Sequence, residues 1–154
     1  MVWPALAIIV LDQISKWAII RSLKVHESVP VVTDLFNLVH VRNRGMAFGF
    51  MNRSDIDLAF YFLVAASLGA VVLLLIWFFR LKEGDIRLQL GLSLILGGAL
   101  GNLIDRLRFG EVIDFLDFYL GPYHWPAFNL ADSAITAGTF LVALSLIFQR
   151  KIHV

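Results

Sequence analysis

The run from Leu58 to Phe79 contains no charged residue, and this constrains the fold more than any other feature of the sequence. Backbone polar groups cannot go unpaired in lipid, so an apolar run of roughly 20 residues that crosses about 30 Å of hydrocarbon should be an α-helix. Asp57 precedes the run and Arg80 follows it. The sequence therefore predicts a membrane-spanning helix over residues 58–79.

Three further segments predict membrane spans, over residues 2–20, 88–104 and 133–149. The composition agrees, because 59% of the 154 residues are hydrophobic and 16% are charged, whereas a soluble domain carries roughly 25% charged residues. At this length we expect one domain, a membrane-embedded unit over residues 1–154.

The first span contains the polar residues Asp12, Gln13 and Lys16 within its apolar run. A secretory signal peptide would end at a clean small-residue cleavage site, which this segment lacks, so we interpret it as a retained span. Asp12 and Lys16 are four residues apart, and a mutual ion pair near a helix end is the simplest account of them.

The third span is rich in glycine, and Gly97 and Gly101 form a Gly-x-x-x-Gly pair. This pattern favours close packing between helices. A nucleotide-binding loop is disfavoured, because no phosphate-loop lysine or βαβ context accompanies the glycines.

Two longer connections lie on one side of the predicted bundle, since four spans place both termini on the other side. Short strands are expected in the first connection, at Val29–Val32 and Leu35–Val41. The count of Lys and Arg favours one orientation and their density favours the other, so the positive-inside rule leans only weakly to cytoplasmic termini.

Several function classes are excluded or lose support. A net charge of +1 offers no basic field for nucleic acid, and the absence of cysteine removes thiol nucleophiles and cysteine-ligated metals. The four histidines have no metal-ligand spacing, and the serine and zinc hydrolase motifs are absent. We therefore expect no metal and no cofactor.

Carboxylates concentrate between the third and fourth spans, at Asp105, Glu111, Asp114, Asp117 and Asp132. Asp114 is flanked by Val112, Ile113 and Phe115, and such surroundings disfavour the charged form of a carboxyl group. Two carboxyl groups close together can share a proton, and one then activates water while the other donates to the scissile carbonyl of a peptide. This segment predicts an aspartic peptidase site.

Structural interpretations of the same residues remain open. Asn129 or Asp132 is a suitable N-cap for the fourth helix, where a carboxylate also suits the positive end of the helix dipole. Asp105 is suited to an ion pair with Arg106 at the end of the third helix, and Asp117 to a solvated loop. Spacing alone does not decide which carboxylates form a pair.

Five motifs follow one another at set places in the hydrophobic frame. They are Asp12-Gln13, Asn43-x-Gly45-x-Ala47-Phe48, Gly97-Gly98-Ala99-Leu100-Gly101-Asn102-x-x-Asp105-Arg106, Val112-Ile113-Asp114-Phe115 and Phe128-Asn129-x-Ala131-Asp132-Ser133. In this combination the chain resembles the lipoprotein signal peptidases (signal peptidase II) over nearly its whole length. Position 44 is Arg and position 46 is Met, where the family more often shows Thr and Ala, and we interpret both as loop variation near the substrate mouth.

The resemblance implies an all-α integral membrane protein with four transmembrane helices, a small extracytoplasmic β-platform and a surface helix. It implies an endopeptidase of the bacterial plasma (inner) membrane, with cytoplasmic termini and an active site on the outer face. Such an enzyme removes the signal peptide from diacylglyceryl-modified prolipoproteins, cutting before the lipidated cysteine. We expect prolipoproteins and membrane lipids as partners, no nucleic acid, and a monomer.

The resemblance also assigns residues. Asp114 and Asp132 fall on the family's catalytic aspartates. Supporting or substrate-binding positions fall on Asp12, Asn43, Gly45, Asn102, Asp105, Arg106 and Asn129.

Two non-enzymatic hypotheses compete with a peptidase. A small transporter would use Asp12 and Lys16 as part of a proton relay, and would spread ionisable groups through the membrane depth. A structural subunit would account for the glycines of the third span. Neither hypothesis explains the carboxylates gathered in apolar surroundings at one end of the third and fourth spans.

Overall fold

Four long helices and a small antiparallel sheet make up the computed structural model, which describes residues 1–45, 53–81 and 85–150. The helices are α1 (Trp3–Ser22), α2 (Arg53–Arg80), α3 (Ile86–Phe109) and α4 (Leu130–Arg150). The strands are β1 (Ser28–Val32), β2 (Phe36–Asn43), β3 (Val112–Leu120) and β4 (Tyr123–His124). Each helix includes a stretch long and apolar enough to cross a membrane, as predicted for four helices of this chain.

Local signals set the helix ends. Pro4 lies in the first turn of α1, where its missing N–H costs nothing. At the start of α3 the side chain of Asp85 accepts the backbone N–H of Leu88 at 3.0 Å. At its end Gly110 adopts a left-handed φ of 76° and donates its N–H to the carbonyl of Arg106, as a helix C-cap does.

Helix α3 lies at the centre of the bundle and packs against the other three helices. Of its apolar stretch 61% is buried inside the protein, against 6% for α2. Many large side chains of α2, among them Leu58, Phe62 and Leu73, are exposed at the protein surface, as expected of a helix that faces lipid. The interior of the bundle is therefore formed mainly by α1, α3 and α4.

Glycines bring α3 close to its neighbours. A Cβ atom at Gly97 would lie 2.8 Å from the carbonyl oxygen of Ala5 in α1, and one at Gly91 would lie 2.8 Å from the carbonyl oxygen of Gly138 in α4. The predicted role of Gly97 in close helix packing is confirmed, and Gly91 has the same role on the side of α4.

The sheet has the strand order β1-β2-β3-β4 and is antiparallel throughout. Strands β1 and β2 lie where the sequence predicts strands. Strand β3 was not predicted; it pairs with β2 from Asn43 opposite Val112 to Phe36 opposite Phe118. Because this sheet forms, the all-α label is not confirmed.

The helices differ from the predicted spans mainly at the sheet end of the bundle. Helix α3 continues to Phe109 instead of ending at residue 104, and α4 begins at Leu130 instead of residue 133. The implied surface helix is not among the elements of the described ranges. Residues 46–52, which include Met46 and the motif residues Ala47 and Phe48, and the basic residues Lys82 and Lys151 lie outside those ranges.

Replacement of Gly138 by alanine should destabilise the protein. The added methyl group would meet the backbone of Gly91 and the side chain of Ile95, and overpacking of this kind costs about 1–3 kcal/mol. Gly69→Ala in α2 is the matched control, because nothing lies within 4 Å of its added Cβ. Thermal unfolding in detergent should show a lower Tm for Gly138→Ala than for Gly69→Ala. Equal Tm values would contradict the close α3–α4 contact.

Candidate active site

The amino-terminal turn of α4 carries Asp132, held by a reciprocal cap with Asn129. The side-chain oxygen of Asn129 accepts the backbone N–H of Asp132 at 2.9 Å, and the Asp132 Oδ2 atom accepts the backbone N–H of Asn129 at 3.2 Å. This is the geometry of a capping box. The predicted capping role is therefore confirmed, and it leaves the Oδ1 atom of Asp132 to face other partners.

Strand β3 carries Asp114, which is almost fully buried. Its Oδ1 atom accepts the side-chain amide of Asn129 at 2.8 Å, and its Oδ2 atom accepts that of Asn43 at 2.9 Å. Asn129 therefore contacts both Asp114 and Asp132, the first through its side chain and the second through its backbone N–H and side-chain oxygen.

Burial, and to a smaller extent the nearby charge of Asp132, raises the pKa of the Asp114 carboxyl from its ordinary value to about 6. The hydrogen bonds from Asn43 and Asn129 and the charge of Lys16 act in the opposite direction. A carboxyl group with such a pKa is protonated in part near neutral pH.

Asn102 of α3 links Asp132 to the interior of the bundle. Its Nδ2 atom donates to the Oδ1 atom of Asp132 at 2.8 Å. Its oxygen accepts from the side-chain amide of Asn129 at 3.2 Å and from the Nζ atom of Lys16 at 3.0 Å. All of its side-chain polar atoms therefore have partners in the site.

Behind Asn102 lies a buried cluster of three charged side chains, which we call the ion cluster: Asp12, Lys16 and Asp105. The Nζ atom of Lys16 lies 2.8 Å from one oxygen of each carboxylate, and all three side chains are at most 2% exposed. The predicted ion pair between Asp12 and Lys16 is thus present, but it includes a second carboxylate from α3.

The ion cluster also binds the backbone of other elements. Asp12 accepts the N–H of Ala131 in the first turn of α4 at 3.0 Å, and Asp105 accepts the N–H of Ile113 in β3 at 3.2 Å. Gln13 donates its side-chain amide to Asp105 at 2.9 Å. The cluster is therefore tied to the two elements that carry Asp132 and Asp114.

The structure brings most of the assigned residues into one network of hydrogen bonds and ion pairs. Its members are Asp12, Asn43, Asn102, Asp105, Asp114, Asn129 and Asp132. Arg106 lies beside it and donates to the carbonyl of Asn102 and the hydroxyl of Ser67, both at 3.4 Å. Gly45 contributes its backbone N–H, which donates to the side-chain oxygen of Asn43 at 2.7 Å.

Two structural interpretations from the sequence are wrong. Asp105 pairs with Lys16 and not with the adjacent Arg106. Asp117 is not solvated, because it is buried in β3 and binds Asn37 at 3.0 Å and His124 at 2.9 Å.

Lys16 and Gln13 were not among the residues predicted for the peptidase site. The available signal was the presence of both signs of charge inside an apolar span, because ionisable groups in a bilayer need partners. The sequence did not show that one partner comes from α3.

A cavity of about 650 Å³ opens beside Asp132, along the first turns of α4. Its walls are mostly apolar and include Trp125, Phe128 and Phe140, while Asp132, Ser133 and Thr136 supply polar groups. An extended apolar ligand placed here would reach the carboxylate of Asp132. Within the described ranges, no group of three or more His, Asp or Glu side chains is arranged to hold a metal ion.

Comparisons with known proteins point to a single family over most of the chain. The family model of signal peptidase (SPase) II matches residues 4–148. A lipoprotein signal peptidase of Desulforapulum autotrophicum is 50% identical over 145 residues, 93% of this chain and 88% of that protein. One of Nitratidesulfovibrio vulgaris is 47% identical over 146 residues, 94% of this chain and 87% of that protein.

A solved structure described as a bacterial membrane enzyme has the same fold. It superposes with a TM-score of 0.82 at 30% sequence identity, over 96% of this chain and 87% of that one.

Replacement of Lys16 by methionine should destabilise the protein strongly, because it leaves two buried carboxylates without a counter-charge. Breaking a buried ion pair in this way costs about 3–5 kcal/mol. Lys24→Met is the matched control, since Lys24 is exposed. Unfolding by denaturing detergent would measure both free energies.

Adding Asp12→Asn and Asp105→Asn to Lys16→Met should recover part of the lost stability, because the unpaired charges are then removed. Equal stability of Lys16→Met and Lys24→Met would contradict the structural role of the ion cluster.

Proposed function

This chain belongs to the signal peptidase II family, and we propose that it removes signal peptides from diacylglyceryl-modified prolipoproteins with Asp114 and Asp132 as catalytic residues. The family's relatives are named lipoprotein signal peptidases, which supports a peptidase acting on prolipoproteins. The observation that carries the residue assignment is that one asparagine, Asn129, binds both carboxylates.

The two aspartates have different surroundings, and these divide the roles. Asp132 lies in the first turn of α4, where the helix dipole and two N–H donors favour a carboxylate. Asp114 is buried in β3 and its pKa is raised to about 6, so it carries the shared proton more readily. Asp132 is accordingly the base and Asp114 the acid.

The reaction follows from these roles. Asp132 takes a proton from water, and the resulting hydroxide attacks the carbonyl carbon of the scissile peptide while protonated Asp114 donates to the carbonyl oxygen. The tetrahedral intermediate then collapses, the C–N bond breaks, and the leaving nitrogen receives a proton from the dyad. Water supplies all the atoms added, so no cofactor is required.

Substrate access is proposed along the cavity beside α4. Its apolar walls around Trp125, Phe128 and Phe140 suit the apolar part of a membrane-bound prolipoprotein, and its polar end contains Asp132. A substrate whose signal helix and lipid both lie in the bilayer can then approach the dyad from the membrane.

The proposed location is the bacterial inner membrane, with both termini cytoplasmic and the sheet with the dyad on the outer face. The dense basic residues of the Arg80–Arg87 loop and the carboxyl-terminal tail support this orientation. Prolipoproteins and membrane lipids are the proposed partners of a monomeric, single-domain protein.

Asp114→Asn and Asp132→Asn should each abolish cleavage of a diacylglyceryl-modified prolipoprotein by the purified protein in lipid. Loss of a general acid or base costs roughly a hundred- to ten-thousand-fold in kcat. Asp117→Asn is the matched control, because this buried aspartate of β3 binds His124 outside the dyad; its variant should keep its rate.

A folded variant of Asp114 or Asp132 that cleaves near the normal rate would show the pair to be misassigned, and Asp105 would be tested next. If the intact chain cleaves no such substrate, the peptidase proposal is wrong.

The pH dependence of kcat/KM should show an alkaline limb, because the dyad loses its shared proton as the pH rises through the pKa of Asp114. The hydrogen bond from Asn43 favours the charged form of Asp114, so Asn43→Ala should raise that pKa and move the limb to higher pH. Initial rates from roughly pH 4 to 9 would measure the shift, which reports the dyad as a coupled pair. A limb that moves to lower pH would contradict the assigned role of Asn43.

A further inference from the structure

A second ionic group lies at the end of the sheet, where β2 and β3 meet the dyad. Glu111 directly precedes β3 and Arg44 directly follows β2. The last pair of the register is Asn43 opposite Val112, and one further step places Arg44 opposite Glu111. The strand ends are therefore positioned for a contact across the sheet.

Glu111 uses both of its carboxylate oxygens there. Its Oε1 atom accepts from the Nη1 atom of Arg42 at 3.0 Å, and its Oε2 atom accepts from the Nε atom of Arg44 at 3.3 Å. The Glu111 side chain is only 12% exposed, whereas that of Arg44 is 62% exposed. The carboxylate thus lies beneath the two guanidinium groups.

The residue between the two arginines is Asn43. Successive side chains of a strand point to opposite faces, so Asn43 points away from the face of Arg42. Its Nδ2 atom donates to Asp114 at 2.9 Å, and its oxygen accepts the N–H of Gly45 at 2.7 Å. Arg42 and Arg44, on either side of Asn43 in the chain, therefore both bind Glu111, the residue directly before β3.

We propose that Glu111 is a positioning residue: by binding Arg42 and Arg44 on either side of Asn43, it holds the amide of Asn43 on the carboxylate of Asp114. Its effect on peptide cleavage rests on the proposed function, while its effect on the protonation of Asp114 does not. Glu111 itself contacts no reacting atom and acts only through Asn43.

The direction in which the pKa of Asp114 moves distinguishes positioning by Glu111 from a direct effect of the Glu111 charge. Removing the negative charge of Glu111 would by itself favour the charged form of Asp114 and lower its pKa. Loosening the hydrogen bond from Asn43 would raise that pKa, because the bond favours the charged form. The other charged groups that act on Asp114, which are Asp132 on α4, Lys16 on α1 and Arg106 on α3, are unchanged by either event.

The test measures the protonation of Asp114 directly. Infrared spectra of the purified protein in lipid, titrated with acid, would follow the carboxyl C=O band that disappears in Asp114→Asn. In Glu111→Ala this band should persist to higher pH than in the intact chain. Glu27→Ala is the control, because Glu27 accepts the backbone N–H of Lys24 in the loop before β1, and it should leave the titration unchanged.

Kinetics give the second readout. Glu111→Ala should lower kcat/KM by roughly two- to five-fold, the range expected when exposed ion pairs are lost, and should move the alkaline limb upward. Glu111→Gln keeps an oxygen that can accept from Arg42, so it should recover part of both effects. In a chain that already carries Asn43→Ala, Glu111→Ala should cause no further shift.

Two results would overturn the proposal: an Asp114 titration that moves to lower pH in Glu111→Ala, or an additive shift in the double variant. If the intact chain cuts no prolipoprotein, the peptidase proposal fails, yet the infrared titration still decides the role of Glu111.

Discussion

The interaction on which the rest of the site depends is the buried contact of Lys16 with Asp12 and Asp105. Charges that are buried away from water attract one another strongly, but they also lose their hydration. A buried cluster of charged side chains is therefore stable only when each side chain has ion-pair or hydrogen-bond partners. Here the carboxylates also accept the N–H groups of Ala131 and Ile113. One cluster from α1 and α3 therefore fixes the start of α4 and the start of β3, and these two elements carry the proposed dyad.

Amide side chains form the layer between the ion cluster and the two aspartates. An asparagine offers both a donor and an acceptor, so it transmits orientation without adding charge. Asn102 joins Lys16 to Asp132, and Asn129 joins Asn102 to Asp114. A third carboxylate in either position would add negative charge beside the dyad and raise the pKa of Asp114 further. The neutral layer thus joins the ion cluster to the dyad without adding a further charge, although the charge of Lys16 still acts on Asp114.

Hydrophobic runs were enough to predict the four spans, but not their ends. The predicted third span stops just before Asp105 and the fourth begins just after Asp132, because polar residues lower the local hydropathy. Both helices continue through these residues, since their polar groups have partners within the protein. Strand β3 was missed because it is buried on both faces around Asp114 and Asp117, so the expected alternation of apolar and polar residues is absent. The choice of Asp114 and Asp132 came from the family motifs and not from spacing.

The glycines of α3 explain why such short side chains can build the site. Asp and Asn reach only a few ångströms, so the helices that carry them must lie close together. A Cβ atom at Gly101 would lie 2.7 Å from the carboxylate of Asp12, which shows that the ion cluster occupies the space a larger residue would fill. Arg44 illustrates the opposite case. From the sequence, Arg44 was interpreted as loop variation only, but its long side chain at the end of the sheet reaches Glu111. In the proposed arrangement the close contacts of the bundle and the long side chain of Arg44 both act on Asp114, the first through Asn129 and the second through Asn43.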